Sequence, residues 1–87
     1  MIYEIEFKPA AWRELSRLER DLQERVAVAI DALAANSRPP GSRKLRGASD
    51  LYRIRIGDYR VLYAMNEETA SLLIVRIRHR GTAYRNL

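Results

Sequence analysis

Arg53 and Arg55, two residues apart in Leu51-Tyr52-Arg53-Ile54-Arg55-Ile56, are spaced to act together on an anion. Side chains alternate across a strand, so both guanidinium groups share one face while Tyr52, Ile54 and Ile56 take the other. A basic turn, Lys44-Leu45-Arg46-Gly47, precedes them, and Gly57-Asp58-Tyr59-Arg60 turns into Val61-Leu62-Tyr63 behind them. The expected product is a hairpin with an apolar underside and a guanidinium surface. Arginine offers a planar fork that matches phosphate, so such a surface suits a polyanion.

The rest of the composition agrees with that reading. The net charge is +5, unevenly placed: residues 1–37 hold five basic and seven acidic side chains, residues 38–87 eleven basic and four acidic. Fourteen of the sixteen basic residues are Arg, a bias that a GC-rich genome also produces. The clustering, rather than the total, favours nucleic acid or an acidic protein partner. With 87 residues and no Cys, one small domain spanning 1–87 is expected, with no disulfide and no Cys-based metal site. No apolar run approaches the roughly 20 residues that cross a bilayer. Met1-Ile2-Tyr3-Glu4-Ile5-Glu6 has neither a basic leader nor an apolar signal core, so an unprocessed cytoplasmic protein with no membrane partner is expected. No metal-ligand cluster, Ser-His-Asp set or Gly-rich phosphate loop stands out, so neither metal nor cofactor is expected.

The elements that must position the arginines follow from periodicity. Residues 2–7 alternate, with Tyr3, Ile5 and Phe7 inward. Pro9 suits the first turn of a helix, and Trp12, Leu15, Leu18 and Leu22 recur at helical spacing, giving a helix over 9–20. Val26, Ile30 and Leu33 continue it over 22–36, and Asp21 with Glu24 resembles a capping box, placing a break at 20–22. A single bent helix is the alternative. Trp12, Leu15, Leu18, Val26 and Ile30 are the expected helical core. Asn36 to Ser42 reads as a loop, followed by strands over 50–56, 59–65 and 72–78 joined by short turns. The fold class is α+β: a small antiparallel sheet, one N-terminal strand plus a C-terminal three-strand meander, packed on an N-terminal helical hairpin. The helices should cover one sheet face and leave the other free for a ligand.

That element order, with Lys44-Leu45-Arg46-Gly47 leading into Tyr52-Arg53-Ile54-Arg55 and then Asp58-Tyr59-Arg60-Val61-Leu62-Tyr63, resembles the RelE/ParE superfamily of toxins. The ending His79-Arg80-Gly81-Thr82-Ala83-Tyr84-Arg85 is similar to the family's closing pattern. The resemblance implies the toxin half of a type II toxin–antitoxin pair. RelE-like members cleave messenger RNA in the ribosomal A site, whereas ParE-like members inhibit DNA gyrase. The basic strand and the terminal Arg-Tyr pair point to the RelE side.

RNA carries its own nucleophile. Its 2′-hydroxyl attacks the adjacent phosphodiester, leaving a 2′,3′-cyclic phosphate and a 5′-hydroxyl, with no metal required. Such a site needs a base, cationic donors for the phosphorane and an acid for the leaving oxygen. The resemblance implies that Arg60 and Arg80 clamp phosphate, each lowering the barrier by about 3–4 kcal/mol. It implies that Tyr84 stacks on a base, worth about 1–3 kcal/mol, or hydrogen-bonds the phosphate. Arg53 and Arg55 occupy positions where the best-known pattern carries Lys. Arginine is not deprotonated in proteins, so these two, with Arg78, are expected to bind RNA rather than act as base. A histidine titrates near about pH 6.5, which suits a base, and His79 is the chain's one histidine. Strand parity, however, sets it opposite Arg78 and Arg80. Lys44 and Arg46 are expected on RNA backbone.

The implied partners are a cognate antitoxin, RelB-like or of another class, the ribosome with its mRNA, and operator DNA only in complex with the antitoxin. A gyrase inhibitor, or a catalytically weak toxin acting mainly as corepressor, is the alternative.

Overall fold

The alternation at the start of the chain becomes β1 (Glu4–Phe7), with Tyr3, Ile5 and Phe7 packed against the core and Glu4 and Glu6 exposed. The structure, a computed structural model, describes residues 2–45, 47 and 50–81. Pro9 opens α1 (Pro9–Ser16), where a missing N–H costs nothing. Two helices form, as expected, but the break falls at Arg17 to Glu19, earlier than the Asp21 capping pattern placed it. The α1 end tightens as the Leu18 N–H turns back to the Leu15 carbonyl at 3.2 Å, and Gln23 Nε2 covers that carbonyl at 3.0 Å. Asp21 therefore lies inside the first turn of α2 (Arg20–Leu33), and the N-cap position is Glu19, with no side-chain cap.

Leu15, Val26, Ile30 and Leu33 are buried, and Leu18 packs partly against the same core. Trp12 is the exception: it is 57% exposed and touches Phe7 edge-on, with ring centroids 5.3 Å apart. The face that α1 buries runs through Ala11 and Leu15, four residues apart, and leaves Trp12 on the flank.

The sheet has five strands in the order β1-β5-β4-β3-β2, with β2 (Arg43–Lys44), β3 (Leu51–Ile56), β4 (Tyr59–Asn66) and β5 (Ser71–His79). The α+β class holds and the C-terminal meander is antiparallel. β1 pairs with β5 in parallel, so the sheet is mixed. The helical hairpin carries the chain away from β1 before the meander begins, which lets β5 return in the same direction. β2 is a short strand where a turn was expected. Gly57, at φ +58°, supplies the left-handed residue of the Gly57-Asp58 turn between β3 and β4. No helix among the described residues is long and apolar enough to cross a membrane.

The β4–β5 ladder is irregular between Leu62 and Tyr63: Leu62 opposes Arg76, but Tyr63 opposes Ile74, leaving Val75 as one extra residue on β5. Strand side chains alternate, so that residue reverses the parity of everything after it. Leu72 and Ile74 point into the helix-side core ahead of the bulge, and Ile77 does so behind it. Arg76 and Arg78 thereby turn to the opposite face.

Candidate functional site

On the face away from the helices, three arginines lie in one row across three strands. Arg55 of β3 opposes Arg60 of β4, which opposes Arg78 of β5. A second row holds Arg43, Arg53, Leu62 and Arg76 in successive register on β2 to β5. Arg53 is buried, at 5% exposure, while Arg55 is exposed and Arg60, Arg76 and Arg78 are half-buried. Leu62 is fully buried, yet lies outside the helix-side core cluster, as its parity requires. Neighbouring strands are about 4.8 Å apart. Like charges directly opposite on neighbouring strands are destabilising, and a bound anion would relieve that repulsion.

One carboxylate closes the β5 end of these rows. Glu14 of α1 accepts the Ile77 N–H at 2.9 Å through Oε1, while its Oε2 lies 3.2 Å from Arg78 Nε and 3.4 Å from Arg76 Nη1. Pairing with β1 ends at Phe7 and Ile74, followed by the Lys8 N–H to the Ile74 carbonyl at 2.9 Å, so α1 flanks the next stretch of β5.

Other residues singled out in the sequence fall as follows. Arg80 is exposed, just past β5, and its N–H donates to the Asp58 carbonyl at 2.8 Å, tying it to the β3–β4 turn two residues from Arg60. His79 opposes Tyr59 and meets its ring edge-on at 5.6 Å, on the other face from the arginine row. Lys44 is exposed and opposes Tyr52, so its strand position also points away from the rows, whereas its neighbour Arg43 joins them. Tyr84 and Arg46 lie outside the described residues. Arg43, Arg76 and Glu14 are site neighbours that sequence reasoning did not assign. The i, i+2 spacing of Arg76 and Arg78 was a readable signal for one of them.

Beside the rows, a groove of about 500 Å³ opens at the β3 edge, between Ala29 and Ala32 of α2, Pro39 and Pro40, and Arg43 and Arg55. The loop rim is pinned by the Tyr63 hydroxyl, which donates to the Ser37 carbonyl at 2.7 Å. Burial pushes the Tyr63 phenol up to about 12, since the phenolate would lose its hydration there. Tyr52 stacks on Tyr63 with centroids 5.9 Å apart, and Arg38 lies 6.0 Å over the Tyr52 ring while pairing with Glu67 at 2.8 Å.

Two helices packed on a five-stranded mixed sheet are the RelE-like α+β fold. The family described as the ParE toxin of the type II toxin–antitoxin system, parDE, matches residues 5–84, and the chain belongs to that family, within the RelE/ParE superfamily. Toxin RelG of Mycobacterium tuberculosis is 31% identical over 86 residues, covering 98% of this chain and 99% of that protein. A chain of the archaeal RelE-RelB complex from Pyrococcus horikoshii OT3 superposes with a TM-score of 0.82 at 31% identity, over 95% of this chain and 100% of that one. A chain of the toxin–antitoxin complex RelBE2 from Mycobacterium tuberculosis does so at 0.78 and 27% identity, over 92% and 100%. The protein is a toxin of a type II toxin–antitoxin system.

Proposed function

We propose that this toxin is a metal-independent endoribonuclease that cleaves messenger RNA in the ribosomal A site by 2′-hydroxyl attack. The observation that carries the reading is the Arg55, Arg60 and Arg78 row on the sheet face opposite the helix-side core, beside the buried Arg53 and Leu62. In this reading Arg60 and Arg78 brace the phosphorane, and Arg80 joins them from the β3–β4 turn. Arg53, Arg55, Arg43 and Arg76 hold flanking phosphates, with Lys44 and Arg46 on more distant backbone. Tyr84 stacks on a base of the substrate. His79 serves position rather than proton transfer, because it is turned to Tyr59. A site dominated by cationic clamping depends on the ribosome to hold the message in an attack geometry.

The reading also supplies a partner. An antitoxin whose acidic or amphipathic segment covers the arginine face would block RNA by occupying the same donors. RelB accompanies the similar solved toxin of Pyrococcus horikoshii, and in this reading operator DNA meets the toxin only in complex with its antitoxin. The working compartment is the cytoplasm, where ribosomes are.

The test maps the 5′ ends of messenger RNA after induction. Wild type should give cuts within translated codons. Arg60→Ala should fold and lower cleavage by roughly 100-fold or more, the scale of losing one preorganised donor to a transition-state anion. Intact messages with growth arrest would overturn the reading. The second reading, inhibition of DNA gyrase, is favoured by the ParE description of the matching family and by Arg in place of Lys at positions 53 and 55. It predicts DNA breaks with messages left whole.

A further inference from the structure

Glu14 is a helix residue whose carboxylate satisfies a strand. Its Oε1 takes the Ile77 N–H at 2.9 Å, and its Oε2 sits 3.2 Å from Arg78 Nε and 3.4 Å from Arg76 Nη1. The side chain is only 20% exposed, so these contacts are shielded in part from water. A carboxylate that caps a strand edge needs just the first contact. The other two reach the only two cations that the Val75 bulge turns onto the open face within β5, and Arg78 is the direct cross-strand partner of Arg60. Glu14 approaches Arg78 most closely at Nε, the stem side of the guanidinium, which fixes the plane of the fork. It also sets one negative charge against a row whose members repel each other.

We infer that Glu14 is a positioning residue for phosphate recognition, acting through Arg78 and secondarily Arg76. This inference rests on the nuclease reading above. Left to charge alone, a carboxylate beside a polyanion site weakens binding, so its removal would strengthen RNA affinity. Positioning has the opposite consequence for the chemical step. An arginine released from its tether samples more rotamers and spends less time on the phosphate, and misplacement of this kind costs a reaction up to about 100-fold.

The experiment measures single-turnover cleavage of message on programmed ribosomes with the full-length toxin, alongside its melting temperature. Glu14→Gln keeps an oxygen acceptor for the Ile77 N–H and removes the charge that holds the arginines. The expected result is a melting temperature close to wild type, a saturating rate lower by roughly tenfold, and half-saturation at the same or a lower toxin concentration. Glu14→Gln placed in an Arg78→Ala background should cost much less than it does in wild type, only the part that runs through Arg76 remaining, because residues acting through one another are not additive. Wild type that cleaves, with a Glu14→Gln that cleaves equally fast, overturns the positioning role and leaves the nuclease reading standing. The same holds if the loss persists in full without Arg78. Wild type that leaves messages whole overturns the nuclease reading and this role together.

Discussion

Arg60 and Arg78 are direct partners across the β4–β5 ladder, on the face that the helices leave uncovered. Antiparallel partners carrying like charge are destabilising in a sheet that serves only itself. Here the arrangement continues to Arg55 on the next strand. Three such residues in line are a cost to the free protein, which in the nuclease reading a phosphate chain offsets.

Counterion release makes this countable. Each arginine that neutralises a phosphate of single-stranded RNA contributes about 0.7 to the slope of log affinity against log salt. Arg55→Gln should flatten that slope by about 0.7, read by fluorescence anisotropy of a labelled RNA between roughly 50 and 200 mM salt. An unchanged slope would remove Arg55 from the contact set.

Tyr63 lets stability be read against pH. Tyr63→Phe deletes the hydroxyl bond to the Ser37 carbonyl and should cost about 1 kcal/mol near neutrality. The folded phenol titrates at about 12 against an ordinary 10.0. Its folded pKa lies above the unfolded one, so this contribution is complete below pH 10 and is lost as pH rises toward 12. Urea unfolding of the two proteins should therefore show the wild-type advantage shrinking, and gone by about pH 11. A gap that stays constant would mean that the phenol is hydrated in the folded state.

Two turns make opposite predictions. Gly57 has φ +58°, and a Cβ there would meet only Arg25 Nη2 at 3.8 Å, an ordinary contact. Gly57→Ala should then destabilise by about 1 kcal/mol through backbone strain alone. Ala70 holds φ +51° with a Cβ already present, while its carbonyl accepts the Glu4 N–H at 2.8 Å. Ala70→Gly should leave stability equal or raise it by up to about 1 kcal/mol, the strain relief being opposed by a freer unfolded chain. Thermal melts of both variants check the pair.

Much of this molecule was legible because period and face are local properties. Tyr52, Ile54 and Ile56 are buried on the helix side as alternation requires, and the hairpin turns at Gly57. Strand order was partly legible, since short turns force antiparallel neighbours. The parallel pairing of β1 was not, because it depends on where the helices deliver the chain. Trp12 shares a helical period with Leu15, yet period gives a stripe and not its centre, and the stripe is centred on Ala11 and Leu15. Arg53 was recognised as basic and strand-borne, but nothing in its neighbours announces that it is buried. Glu14 was invisible for a related reason. A helical glutamate reads as solvated until the strand it serves, more than sixty residues away in sequence, is in place.

Val75 divides one strand between two tasks. Ahead of it, alternate side chains supply cohesion to the core; behind it, the same alternation supplies cations to the outside. Lengthening or shortening the segment there by a single residue would exchange those assignments, sending Arg76 and Arg78 inward and Ile77 out. Their aim is thus a matter of phase: either arginine can be replaced without moving the other, whereas a shift of one position redirects both at once.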